Sequence, residues 1–500
     1  MKHIYKFILI GIFSLSFISC DDDFLDKNPT ASISSETFWK TKGDALMGLA
    51  GVYNGLYQYG YANGNYNFNR VDWDGMSDNC VTRYGHGNIL NLSRGNIEST
   101  SGGMVSSIFY QSYKGIARCN NFLGNIDNVT MDETLKNQYI GEVLFLRAYY
   151  YWNLTEFYGG VPLYTESPTI ESAKIKQSPK NVVVDQVIAD LDKAIGYLPS
   201  NAYGDGGHAV KGSAYALKAK VLLHNEKWAE AAIAANEAKA GYSLSSNYAD
   251  NYTVSGQSSN PEIMFSTKYL NPDRYAFYGP DVEWGWWGTL QPHQNLVDAY
   301  ECTDGLPITE SPLYDPTKPR LNRDPRLAFT IRFAADGELV GGTWDNGYAS
   351  ETGYYPKKYI EPGNAPMSYA VRSEQDFIHL RLADVLLMYA EAKNEASGPD
   401  ASVYKAINDI RARVNMPALS AGLSKDQMRE KIRYERRIEL AFEGFRYLDI
   451  KRWKTAEDII PTIVDPGGIT RSFDPSKHYL FPIPQGELDV NPELDQNPGY

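Results

Sequence analysis

GSAYALKAKVLLHNEKWAEAAIAANEAKAG, residues 212–241, is the stretch that decides the fold. Alanine and leucine recur at three- and four-residue steps on both sides of Asn225-Glu226, the spacing of an α-helix with one buried stripe. The break at Asn225-Glu226 is short, so the second helix, opened by Trp228, must fold back antiparallel on the first. Small alanines at the seam let the two backbones approach closely.

The same unit recurs. HLRLADVLLMYAEAKNEASG (379–398) places Leu380, Ala383, Leu387, Ala390 and Asn394 on one face and stops at Gly398-Pro399; VYKAINDIRARVNMP (403–417) supplies its partner. EVLFLRAYYYWNLTEFYGGVP (142–162) and VVVDQVIADLDKAIGYLP (182–199) form a third pair, with Gly159, Gly160 and Pro162 ending the first helix. Each unit resembles a tetratricopeptide (TPR) helix pair, and three such pairs are enough for a stacked solenoid. The expected fold is mainly α: TPR-like helix pairs in a right-handed superhelical scaffold, with long irregular loop insertions carrying the binding face.

Two regions break the helical pattern: about 58–106, rich in Gly, Asn and Tyr, and about 243–371, rich in Pro and Gly, with strand-like runs such as AFTIRFA (328–334). The scaffold is assigned to about 38–57, 107–242 and 372–460. Long loops with high aromatic content are expected to be ordered and to carry function. Within them lies DVEWGWWG (281–288), with Trp284, Trp286 and Trp287 in four positions. The chain holds 37 tyrosines and 9 tryptophans, more than core packing needs, while its net charge of −13 argues against nucleic acid or an anionic membrane as partner. Neutral ligands fit that balance.

The first residues are a targeting segment. Lys2 and Lys6 precede FILIGIFSLSF (7–17), too short to span a bilayer, and FISC ends in Cys20. Residues 1–19 therefore read as a signal peptide and Cys20 as a lipidated first residue, anchored by acyl chains to a membrane and not crossing it. An acidic linker, 20–37 including DDDFLD, leads to one domain over 38–500. Cys80, Cys119 and Cys302 lack zinc-ligand spacing.

At this point the chain resembles a known family. REKIRYERRIELAFEGFRYLDIKRW (429–453), LRLADVLLMYAEAKNE (380–395), AINDIRARVNMP (406–417) and YLFPIPQGELDVNPELDQNPGY (479–500) are similar to the C-terminal half of SusD/RagB-family outer-membrane lipoproteins. LVDAYECTDGLPI (296–308), RDPRL (323–327) and YYPKKYI (354–360) match its middle, and FLDKNPTASIS (24–34) with Phe38-Trp39 its start. The resemblance implies a non-enzymatic glycan-binding lipoprotein of the outer cell surface, seated as a lid on a SusC-like TonB-dependent transporter; the acidic run after Cys20 looks like the matching export signal. It also implies that cargo rests on loop aromatics in two regions, one holding Trp73 and Tyr84, the other EWGWWG (283–288). A RagB-like lid that captures peptides is the alternative.

The chemistry suits a sugar. Aromatic faces match its C–H patches and polar side chains its hydroxyl rim. The ligand-binding residues expected on this reading are Trp73, Asp72, Asn79, Arg83, Tyr84, Glu283, Trp284, Trp286 and Trp287, with Asp74, Asp78 and Asp281 as neighbouring acceptors. The competing reading is that one or two of the three clustered indoles pin their loop to the scaffold. No HExxH, GxSxG or Cys-His pattern is present, so no catalytic residue is assigned. Asp72 with Asp74, or Asp281 with Glu283, could be imagined as a glycosidase acid and base, but such pairs are common in loops and spacing along the sequence does not set their separation in space. No cofactor is expected, and DWDGMSD (72–78) lacks the EF-hand pattern that would support calcium. Arg433, Glu435, Arg436, Arg437, Glu439 and Glu443 are expected to pair at i,i+3 and i,i+4 along one helix.

Overall fold

The computed structural model describes residues 38–57, 70–83, 86–273, 275–276, 279–336, 350–364, 367–368 and 370–500. Cys20, the acidic linker and Tyr84 lie outside these.

Among the described residues ten helices carry the scaffold: α1 (Lys42–Tyr53), α2 (Met104–Asn125), α3 (Glu133–Tyr158), α4 (Lys180–Tyr197), α5 (Lys211–His224), α6 (Trp228–Ala238), α7 (Leu382–Ser397), α8 (Ala401–Arg413), α9 (Lys425–Glu439) and α10 (Arg446–Arg452). The stretch that opened the sequence reading is the α5/α6 pair, and the turn between them places Glu226 at φ +58°. The other two expected pairs are α3/α4 and α7/α8. Successive pairs touch, α4 on α5 and α6 on α7, so packing runs without a break from α2 to α8, with α9 laid on α7. The architecture is mainly α and TPR-like.

The middle of the stack is α3. Every residue from Gly141 to Gly159 is buried, so EVLFLRAYYYWNLTEFY carries apolar side chains on every face and not on one stripe. Its charged members Glu142, Arg147 and Glu156 are paired with His208, Asp190 and His224. Asp132 caps its N-terminus, its side chain accepting from the Leu135 amide, nine residues before the apolar run begins. Gly159, at φ +72°, ends it.

Two expected elements differ. The helix assigned from His379 starts at Leu382, because Phe377–Arg381 forms a strand, β6, antiparallel to β2 (Ile263–Thr267). The aromatic and β-branched run FIHL meets an equally β-prone IMFST far away in sequence, and that pairing overrides the local helical spacing. AFTIRFA divides as well. Pro325–Thr330 is helical, with Pro325 in its first turn and the Asp324 side chain accepting from the Arg326 amide, and Ile331–Phe333 alone is a strand, β4. β4 pairs with β5 (Tyr354–Pro356). The third pair, β1 (Cys80–Thr82) with β3 (Leu290–Pro292), positions the candidate site. Cys80, Cys119 and Cys302 are buried free thiols.

The charge-rich helix is an ion-pair centre, but most of its partners are distant. Glu435 meets Arg326 and Arg411; Glu439 meets Arg326, Arg381 and Arg413; Glu443, just beyond α9, meets Arg381 and Lys358; Arg436 bridges Asp384 and Asp449. Pairing at i,i+3 along the helix occurs instead with carboxylates outside the expected set, Arg433 with Glu430 and Arg429 with Asp426, both at the surface. Glu435, Arg436, Glu439 and Glu443 are buried, so each of these charges must find a counter-charge on another element, and the network clamps the loop-rich half to α7, α8 and α9.

Candidate ligand-binding site

The β1–β3 ladder brings together the two regions in which site residues were expected. Val81 pairs with Gln291 and Thr82 with Leu290, and the Arg83 amide donates to the Thr289 carbonyl at 2.7 Å. From this ladder the chain runs back to Asp72 on one side and to the tryptophan turn on the other. The Trp284 Nε1 donates to Asp72 Oδ1 at 3.3 Å, closing the contact.

The turn is short and tight. Pro280–Glu283 forms one helical turn, after which the amides of Trp286 and Trp287 both donate to the Val282 carbonyl and Thr289 returns to the Glu283 carbonyl. Gly285 is needed at its place: a Cβ there would lie 2.2 Å from the Asp281 carbonyl oxygen. The same Cβ would meet Met367 Cγ at 3.3 Å.

The three indoles do not share one role. Trp284 is fully buried, packed near Tyr359 and Phe442, and offers no face to a ligand. Trp286 and Trp287 are half-buried, with ring centroids 5.1 Å apart and planes at 64°. One of the three clustered indoles therefore pins the turn to the scaffold, and the other two form a corner. Trp73 is a core residue as well, edge-on to Phe157 of α3 with ring centroids 4.7 Å apart. Large rings next to a fully buried helix are worth more as packing than as display.

Asn79 is also buried. Its carbonyl oxygen accepts from Arg437 Nε at 3.0 Å and its amide donates to Asp74 at 3.3 Å, so its polar atoms are committed to the interior. Asp74 accepts the Phe442 amide at 2.5 Å, and burial pushes its carboxyl up to about 7. Burial acts on Asp78 in the same sense, yet the guanidinium groups of Arg437 and Arg446 prevail and hold it well below the usual carboxylate range. Asp281 binds the Glu361 amide, Asn364 and Ser373, and burial pushes it up to about 6. Asp74 and Asp281 thus serve backbone and side-chain donors inside the fold, and neither stands beside Asp72 or Glu283 as an exposed pair.

Asp72, Arg83, Glu283, Trp286 and Trp287 are the expected residues that stay partly open. Among the described residues no three His, Cys, Asp or Glu side chains come together to hold a metal ion, and no helix is long and apolar enough to cross a membrane.

Beside the turn the sequence reading missed a cavity of about 420 Å³, walled by Leu327, Ile331, Phe333, Ile360 and Met367 and rimmed by Arg320, Arg332 and Lys357. Its residues lie in RDPRLAFTIRF and YYPKKYI, where the density of cations was the available signal. A second cavity, about 310 Å³, lies between α1 and β2, with Tyr53, His208 and Lys268 on its wall.

Comparison with known proteins gives the family. Residues 232–500 match the SusD family, and residues 23–223 match a family described as starch-binding, associating with the outer membrane. SusD-like protein P2 of Formosa agariphila is 26% identical over 99% of each chain. A SusD-like carbohydrate binding protein of Bacteroides fragilis has a similar structure, with a TM-score of 0.83 at 28% identity over 92% of this chain and 100% of the other. A laminarin binding SusD-like protein reaches a TM-score of 0.73, again at 28% identity over 92% of this chain and 100% of its own. More than half of this sequence is matched by one family, and the chain belongs to the SusD family.

Proposed function

We propose that this protein is a non-catalytic glycan-binding lipoprotein of the outer cell surface, anchored through Cys20, which captures oligo- or polysaccharide and passes it to a SusC-like TonB-dependent transporter. The observation that carries this reading is the half-buried Trp286–Trp287 corner, set in a turn that the β1–β3 ladder and the Trp284–Asp72 hydrogen bond join to the segment carrying Asp72 and Arg83. A sugar ring resting on either indole is flanked by the edge of the other, and polar side chains are the groups that match its hydroxyls. The family match and the carbohydrate-binding and laminarin-binding neighbours support the same class of cargo.

The test is affinity electrophoresis of the protein, purified in detergent, through gels containing a panel of polysaccharides, with reducing ends monitored in parallel. At least one glycan should slow the protein without gaining new ends. A Trp286→Ala/Trp287→Ala variant of unchanged circular dichroism should lose that retardation. Equal retardation of both forms would exclude the indole corner as the site, and release of new ends would overturn the non-catalytic reading.

A further inference from the structure

Near the end of the chain a half-buried carboxylate stands without a partner. Glu487 lies in a short helix, Gln485–Val490, that is pinned at both ends. The Gln485 side chain accepts from the Ser99 hydroxyl at 2.9 Å and its amide donates to the Ser99 carbonyl at 3.0 Å, while Asn491 Nδ2 donates to the Ile175 carbonyl at 2.9 Å. Between these ties the segment lies against α2, since a Cβ at Gly486 would be 3.0 Å from the Tyr110 hydroxyl. Among the described residues no hydrogen-bond donor and no cation reaches the Glu487 carboxylate. Burial alone acts on it and pushes its carboxyl up.

Three phenols from two other elements gather at this charge: Tyr110 and Tyr113 of α2, and Tyr164 of the loop after α3. Burial pushes each phenol up, and the Glu487 carboxylate adds to the rise in all three. Tyr113 and Tyr164 meet edge-on with ring centroids 6.0 Å apart, and their hydroxyl protons are committed, donating to the Pro162 carbonyl at 2.7 Å and the Ala173 carbonyl at 2.6 Å. Their oxygens can therefore only accept. The Tyr110 ring is exposed, and so is Val490, one turn after Glu487, so apolar surface borders the carboxylate. Acceptor oxygens around a partly desolvated negative charge, with aromatic rings beside them, match a protonated primary amine, which brings three donors and a positive charge. The net charge of −13 draws such a ligand towards the protein.

We propose that Glu487, with Tyr110, Tyr113 and Tyr164, forms a second glycan-binding site, separate from the indole corner, for a sugar that carries a free, protonated amine. The ammonium pairs with the carboxylate, and the C–H face of the hexosamine ring rests on Tyr110 and Val490. The inference rests on the glycan-binding reading and adds to it a preference for amino sugars over their N-acetylated forms, which bring neither the charge nor the three donors.

Isothermal titration calorimetry of the protein, purified in detergent, with glucosamine oligosaccharides and their N-acetylated counterparts tests this site. Native protein should bind the free-amine form at least about tenfold more tightly, as expected for a charge-assisted hydrogen bond. Glu487→Gln keeps the size of a side chain that has no partner to lose, so it should leave the circular dichroism unchanged and abolish the preference. Tyr110→Ala, made at an exposed ring, should reduce the preference by about threefold. Asp489→Asn removes one charge from an exposed position two residues away and should keep the preference, which separates Glu487 from the overall negative charge of the chain. Equal affinity for the two forms, or tighter binding of the acetylated one, overturns the site, as does a preference that survives Glu487→Gln or falls equally in Asp489→Asn. Binding of poly-lysine with no response to glucosamine oligosaccharides overturns it in favour of a lysine-bearing protein partner. Retardation by neutral glycans that depends on Trp286 and Trp287, with no amine preference, removes this site and leaves the glycan-binding reading standing, whereas failure to bind any glycan overturns both.

Discussion

Residues 70–79 and 281–288 look alike in sequence: each sets tryptophan among acidic residues and glycine, and each was expected to display rings to a ligand. In the fold they part company. The first is driven into the interior, with Arg70, Trp73, Asp74 and Asn79 all buried, and it wedges between α3 and the turn after α9. Gly444 marks how tight that wedge is, since a Cβ there would fall 1.8 Å from the Arg70 carbonyl oxygen. The second keeps one indole inside and leaves two half-open. Aromatic and acidic composition selects residues that can bind sugar, but the same residues can equally fill a core and cap buried amides. What separates the two uses is the partner each segment meets, and partners come from far along the chain.

The sharpest way to break this contrast is to truncate one ring of each kind. Trp284→Ala and Trp73→Ala should each destabilise the protein by about 3–5 kcal/mol, the cost of emptying a packed aromatic site. Urea titration would measure it, and a loss below about 1 kcal/mol would mean that the ring is not packed as the structure has it. Nearly as large an effect is expected at Asp78, which neutralises Arg437 and Arg446. Asp78→Ala leaves those two guanidinium groups without their carboxylate in the interior, so a loss of about 3 kcal/mol is expected in the same titration. By contrast, Trp286→Ala and Trp287→Ala, made singly, should each cost less than Trp284→Ala, about 1–2 kcal/mol, while the double variant abolishes glycan retardation, because half-buried rings contribute less to packing. A fall in stability comparable with that of Trp284→Ala would assign these rings to the core too.

The helix pairs were legible because their signal is local: alanine and leucine at helical spacing, with breaks at Asn225-Glu226 and Gly398-Pro399, need no knowledge of the rest of the chain. The start of α7 was misplaced for the opposite reason, since FIHLR becomes a strand only because IMFST lies beside it. The ion-pair centre was recognised on α9, but its partners Arg326, Lys358 and Arg381 come from three other segments, which spacing along one helix cannot reveal. Two loop regions were singled out, and the β1–β3 ladder brings them together, yet which indole faces outward depends on Tyr359, Phe442 and Phe157 closing over Trp284 and Trp73. The cation-rimmed cavity escaped because RDPRL and YYPKKYI were taken as marks of the family, and their charges were not summed in space.

The smallest and most specific test lies inside the buried segment, where two aspartates four residues apart titrate in opposite senses. Asp78 is held down by two guanidinium groups, so it contributes stability that is present above the ordinary carboxylate pKa of about 4 and is lost as pH falls below it. Asp74 has a carboxyl pushed up to about 7 by burial. Between about pH 4 and 7 the native state therefore keeps a proton on Asp74 that the unfolded chain has released, and this group makes stability fall as pH rises through that window. Asp74→Asn keeps an oxygen that can accept the Phe442 amide but removes the titration. Relative to the native protein the variant should gain stability with rising pH, at most about 1.4 kcal/mol for each pH unit between 5 and 6, and the two should run parallel above about pH 8. Urea titrations of both proteins at pH 5, 6 and 8 decide it. Curves that stay parallel from pH 5 to 6 would mean that Asp74 is ionised throughout, and that the amide and Asn79 outweigh the cost of burying its charge.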